Sequence, residues 1–170
     1  LLSHDPIRTI DDLKAAKVRA HGGAAEILKQ LDITVYGIPW GELPAAAERK
    51  VVTAAIIGAP ADAYAFGFGE IFSYWDDVDW FYFPMPVSIN LDTWNALPAD
   101  VQAVMEQVGN ETVAQARNLL EEAEVEAHAA LTELTEVVNL EPADQAKMDS
   151  VRDATWQSWA DAREADGLPG

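Results

Sequence analysis

The chain has 170 residues, 29 Asp and Glu against 11 Lys and Arg for a formal charge of −18, no cysteine, and 49% hydrophobic residues. That length allows one domain or two small lobes with a real core, and the apolar fraction with six Trp argues against disorder. The lack of cysteine excludes disulfides, zinc–thiolate sites, iron–sulfur clusters and a Cys nucleophile, and so negative a field disfavours nucleic acid and anionic lipid as partners.

In chain order, Thr9 followed by Asp11 and Asp12 predicts a short N-capped helix through Lys14. Lys17–Ala20 reads as a strand, and Gly22-Gly23 opens a helix to about Leu31 with Ile27, Leu28 and Leu31 at core spacing. The β-branched stretch Ile33–Ile38, stopped by Pro39, predicts a second strand. Glu42–Lys50 predicts a helix with Pro44 in its first turn, and the apolar run Val51–Ile57 predicts a strand covered on both faces. A short helix follows Pro60, and Ile71–Tyr74 is a further strand candidate. The segment Trp80–Ile89 is expected to be extended, bent or at an edge, because Pro84 and Pro86 remove two ladder donors.

From Pro98 to about Thr135 the apolar residues fall at 3–4 spacing, including Val101, Val104, Met105, Val108, Leu119, Leu120, Ala123, Ala127, Leu131 and Leu134. An unbroken helix there is roughly 57 Å long and needs a second body to lie against. Glu136–Leu140 is a short strand candidate, and Pro142 starts a final helix carrying Trp156 and Trp159. Alternating strands and helices predict an α/β fold: a lobe with a parallel-rich sheet, followed by long helices. The division falls near residue 90, with the α/β lobe at 1–90 and the long helices at 91–170.

Few residues suggest chemistry. His4 and His128 read as solvated or packing residues, and the chain has no Gly-x-Ser-x-Gly elbow, so neither catalysis nor a cofactor is expected. Asp76, Asp77 and Asp79 could hold a hard cation but read more simply as a solvated turn. Glu121, Glu122, Glu124 and Glu126 read as a wet helix face. Gly22-Gly23 could cradle an anion at a helix N-terminus, or merely let the helix start. Arg19 is the more informative residue. It sits at the end of a short strand, where open α/β sheets bind ligands, and guanidinium suits bidentate carboxylate recognition; an internal salt bridge is the alternative. Trp40, after the second strand, could stack on a ligand or plug the core.

Four ordered blocks resemble the solute-binding proteins of TRAP transporters, the DctP-like family. They are Pro6-Ile7-Arg8-Thr9-Ile10-Asp11-Asp12-Leu13-Lys14 with Lys17-Val18-Arg19; Ile38-Pro39-Trp40-Gly41-Glu42; Val51-Val52; and Ile89-Asn90 with Trp94, Ala96-Leu97-Pro98 and Gln102. The resemblance implies a periplasmic-binding-protein-like fold of two α/β lobes bridged by a long helix. It also implies a periplasmic binding protein that is not an enzyme, takes a small organic acid and serves the membrane subunits of a TRAP transporter. Family members are roughly twice as long, so the chain is expected to correspond to a C-terminal portion, consistent with the mid-chain character of Leu1–Pro6. By resemblance, Arg19 is the carboxylate clamp, Trp40 an aromatic ligand contact, His21 and Gly22 cleft-lining residues, and Ile57-Gly58 stands where many members carry a polar contact. Thr53-Ala54 replaces a usual Asp-Gly, and Glu48 a common Gln. Tyr64, Trp80 and Tyr82 are weaker candidates for the remaining wall. The competing reading is a self-associating interaction module, a homodimer through exposed helices, that binds no ligand.

Overall fold

A computed structural model describes residues 1–77 and 86–168. Among these residues, six two-residue strands form one mixed sheet: β1 (Leu2–Ser3), β2 (Val18–Arg19), β3 (Val35–Tyr36), β4 (Ala54–Ala55), β5 (Tyr74–Trp75) and β6 (Glu136–Val137). Their order is β3-β2-β4-β1-β5-β6. The neighbours β3, β2 and β4 run parallel, as do β5 and β6. Between these two parallel groups lies β1, antiparallel to both β4 and β5.

Helices cover both faces. One core joins α1 (Ile10–Ala15), α2 (Gly22–Gln30) and α8 (Pro142–Ala165) to the sheet through Ile10, Leu13, Ile27, Leu28, Val18, Ala54 and Met148. The other joins α3 (Leu43–Glu48), α4 (Pro60–Ala65), α5 (Phe68–Ile71) and α7 (Ala99–Leu134) through Leu43, Ala47, Ala55, Ala63, Phe68, Phe72 and Leu131. Burying each of the larger side chains contributes about 1.5–3 kcal/mol. α6 (Leu91–Ala96) precedes the long helix.

Local chemistry explains several boundaries. The Thr9 hydroxyl accepts from the Asp12 N–H at 3.1 Å, while the Asp12 carboxylate accepts from Thr9 N–H at 2.9 Å, a reciprocal capping box at the start of α1. Asn90 caps α6 by accepting from Thr93 N–H at 3.0 Å. Gln102 then donates to the carbonyls of Trp94 (2.7 Å) and Leu97 (3.3 Å), tying the end of α6 to the first turn of α7. The residues Asn90, Trp94 and Gln102 thus share one corner, where two helices meet.

Several expectations need correction. β1 was not anticipated, because a two-residue strand with one apolar side chain has no readable periodicity and its pairing partners are distant in sequence. The strands expected over Ile33–Ile38 and Val51–Ile57 pair only at Val35–Tyr36 and Ala54–Ala55. Ile71 ends α5, and the strand begins at Tyr74. Trp80 to Met85 lies outside the described residues, and Pro86–Asn90 forms neither helix nor strand. Asp76 is buried, 4% exposed, so it is no part of a solvated turn; Asp77 bonds His128 at 2.8 Å, and Asp79 lies outside the described residues. His128 also packs edge-on against Trp75, joining α7 to β5.

The long helix is present, 36 residues or roughly 54 Å. Its apolar stripe divides in two. Ala127 and Leu131 are buried, and Leu131 and Leu134 sit 3.0–3.1 Å from where a Cβ on Gly69 would lie, so α7 and α5 touch where α5 has no side chain. Val101, Val104, Met105, Val108, Leu119 and Leu120 are exposed. No helix of the described residues is long and apolar enough to cross a membrane.

This docking predicts that Leu131→Ala, at a site 0% exposed, lowers stability by about 2–5 kcal/mol. Val125→Ala, 74% exposed on the same helix, should stay within about 0.5 kcal/mol. Urea denaturation of both variants checks this, and equal effects would contradict the placement of α7.

Candidate ligand-binding site

The parallel strands β3, β2 and β4 end side by side, with Arg19 paired to Tyr36 on one flank and Ala55 on the other. Paired residues share a face of the sheet, so Arg19, Tyr36 and Ala55 lie on the side covered by α3, α5 and α7. Each strand is followed by a loop at this edge: Ala20–His21, Gly37–Pro39 and Ile56–Ala59.

Arg19 stitches the three ends together. Its Nη1 donates to the carbonyl of Ile56 at 3.0 Å and its Nε to that of Ile38 at 3.3 Å. The ring of Trp40 lies under the guanidinium carbon, 5.5 Å from its centroid. Trp40 itself is half-buried in a 3-10 turn (Trp40–Glu42) and meets Phe66 and Phe68 edge-on at 5.1 and 5.5 Å. Arg19 is 7% exposed, and this burial lowers its pKa from the ordinary arginine value; the side chain is nonetheless a permanent cation.

No ion pair among the described residues involves Arg19. A guanidinium has five N–H donors, and only two of Arg19's are committed to carbonyls of the described residues. Buried charge without an opposite charge is costly. Three donors in a rigid fork at the open edge of a sheet are what a carboxylate would use.

The other expected site residues are distributed unequally. His21 lies beside Arg19, and its Nε2 donates to the same Ile38 carbonyl at 2.8 Å, so that oxygen holds two side chains. Gly22, at the start of α2, has φ +54°, and a Cβ there would meet nothing within 4 Å. Ile57 packs partly against the second core and Gly58 is exposed. Tyr64 is exposed on α4. Trp80 and Tyr82 lie outside the described residues. Two neighbours were missed: Tyr36, which strand register alone would have placed opposite Arg19, and Phe66, which only the tertiary path of α4 brings to Trp40. Among the described residues, no group of His, Asp and Glu could hold a metal ion.

A three-layer α/β lobe thus places Arg19, with no ion-pair partner among the described residues, at the carboxyl ends of its parallel strands. The chain belongs to the bacterial extracellular solute-binding proteins, family 7, the DctP family, whose sequence pattern matches residues 2–162. Members of this family are solute-binding proteins and not enzymes. Among curated relatives, a monocarboxylate 2-oxoacid-binding periplasmic protein from a Nostoc species is 30% identical over 101 residues, 58% of this chain and 28% of its own length. A solute-binding protein from a Sulfitobacter species is 31% identical over 121 residues, 70% of this chain and 36% of its own. Among solved structures, a TRAP periplasmic solute-binding protein from Desulfovibrio salexigens with bound orotic acid superposes with a TM-score of 0.81 at 23% identity, covering 98% of this chain and 54% of that one. A Shewanella oneidensis counterpart with bound succinate gives 0.75 at 18%, covering 94% and 53%. The chain therefore spans about a third of the curated relatives it matches and about half of these structures.

The positive φ at Gly22 with open space around it isolates a backbone effect. Gly22→Ala should destabilise by about 1–2 kcal/mol, whereas Gly23→Ala, with ordinary φ and equal space, should stabilise slightly. Thermal melts of the two variants check the contrast.

Proposed function

We propose that this chain is the lobe of a TRAP-type solute-binding protein that holds a small organic acid through a carboxylate paired with Arg19. The observation that carries the reading is a buried guanidinium without a carboxylate partner among the described residues, at the convergence of three parallel strands. Residues 1–90 supply the ligand-contacting loops, and 91–170 the bridging helix and the helices after it. Trp40 and Phe66 form an aromatic wall beside the clamp, and Ile57 offers no hydrogen bond where a hydroxylated ligand would need one. That favours acids with a flat or apolar body. The relatives that take a 2-oxoacid, orotate and succinate support an acid as ligand, and family membership supports an extracytoplasmic, periplasmic setting and TRAP membrane subunits as partners.

Recognition here involves no chemistry. The carboxylate replaces water around the donors of Arg19 that no described residue takes, and removal of water strengthens the pair. The net charge of −18 opposes an incoming anion, but at physiological salt charges beyond about 8 Å are screened, so the local cation governs binding. In the intact protein Arg19→Ala should cost about 2–5 kcal/mol of carboxylate affinity. Calorimetric titration with pyruvate, succinate and orotate measures it, and unchanged affinity for whichever of them binds the parent would overturn the assignment.

A second reading, self-association through the helices, is favoured by the exposed stripe Val104, Val108, Leu119 and Leu120 on α7 and by exposed Trp159 on α8. It predicts a concentration-dependent dimer of the 170-residue chain by light scattering; a monomer at every concentration would exclude it.

A further inference from the structure

The long helix packs along α4, and one of its side chains also caps that helix beside the edge that carries Arg19. Glu124, on the same side of α7 as buried Ala127 and Leu131, accepts a hydrogen bond from the Ala61 N–H at 3.2 Å, across 63 positions of sequence. Ala61 is the second residue of α4, and the residue at that helix's N-cap position is Ala59, which has no side-chain acceptor. The first N–H groups of a helix need partners from outside its own ladder. Glu124 supplies from another helix what Ser or Asp at position 59 would supply locally, and its charge suits that end of the helix.

What α4 connects gives this cap its meaning. Before α4 runs Ile56–Ala59, whose first carbonyl receives Arg19 Nη1. Directly after α4 comes Phe66, edge-on to the Trp40 ring that underlies the guanidinium. Both ends of a six-residue helix therefore border the clamp, and the helix is too short to hold its own position by propensity. Neighbouring acids on α7 do otherwise: Glu121 pairs with Arg117 on the same helix, and Glu122 and Glu126 are exposed.

We infer that Glu124 is a positioning residue for ligand binding: by anchoring α4 to α7 it fixes the Ile56–Ala59 loop and the Phe66–Trp40 wall, and with them the aim of Arg19. This rests on Arg19 as the carboxylate clamp. The test compares the parent with Glu124→Ala, Glu124→Gln and Arg19→Ala in the intact protein. Two readouts are used: affinity for pyruvate, succinate and orotate, and hydrogen exchange of the backbone over 58–66 without ligand.

Glu124→Ala should weaken binding about five- to tenfold and speed exchange over 61–66. Glu124→Gln keeps an oxygen acceptor and should stay within about twofold of the parent in both. Arg19→Ala should lose binding while leaving exchange at Ala61 protected. Should Glu124→Ala fail to fold, Glu124→Asp, shorter by one methylene, replaces it with the same expectation. Parent-like affinity in the Ala variant, or Gln as impaired as Ala, overturns the inference about Glu124 alone. A parent that binds none of the three acids overturns the Arg19 reading and this inference with it, whereas loss of binding in Arg19→Ala with none in Glu124→Ala leaves Arg19 standing.

Discussion

The guanidinium of Arg19, held by the carbonyls of Ile38 and Ile56, is the interaction on which this edge of the sheet depends. These two oxygens belong to the loops after the flanking parallel strands, so one side chain sets the separation of both loops from its own strand. The same contacts orient its planar fork, since a guanidinium cannot turn without breaking them. Trp40 beneath it and His21 on the shared Ile38 carbonyl add to the constraint. In the function we propose, structure and recognition meet at this residue: the bonds that close the edge would leave the remaining donors pre-aimed, lowering what must be ordered when a ligand arrives.

Around this edge the fold divides its labour along the chain. The segment Pro6–Lys14 and the corner formed by Asn90, Trp94 and Gln102 satisfy helix ends, and their recognisable sequence pattern reflects backbone hydrogen bonding rather than contact with a ligand. The block Ile38–Glu42 differs, because Ile38 offers its carbonyl and Trp40 its ring to Arg19. The long helix contributes differently at its two ends. Near its C-terminal end it packs through Ala127 and Leu131 and caps α4 with Glu124; nearer its N-terminal end it presents an apolar stripe to solvent.

How much of this could be read from the sequence follows from the range of each interaction. The α1 cap, α2, α7 and the final helix were legible because their signals, caps and 3–4 spacing, lie within a few residues. Arg19 at the end of a strand was legible because an Arg in an apolar run is unusual. Strand β1 was not, since Leu2 and Ser3 gain meaning only from Ala54–Ala55 and Tyr74–Trp75 beside them. Glu124 looked like any acid on a wet helix face, and no local rule connects it to Ala61. Tyr36 could have been found by aligning strand ends; Phe66 could not. The aspartates after Trp75 misled because three acids within four residues suggest solvent, whereas Asp76 is enclosed by the fold.

The most direct test of the account is to watch the guanidinium itself. With the arginine side chains isotopically labelled, the Nε–H resonance of Arg19, assigned by its loss in an Arg19 variant, is followed while a carboxylate such as pyruvate or orotate is added. The account predicts a saturable shift at Arg19 larger than at the exposed arginines Arg8, Arg49 and Arg117, with slower exchange of its protons as water is displaced. Saturable binding that leaves the Arg19 signal unmoved would contradict it, because the carboxylate would then be held elsewhere.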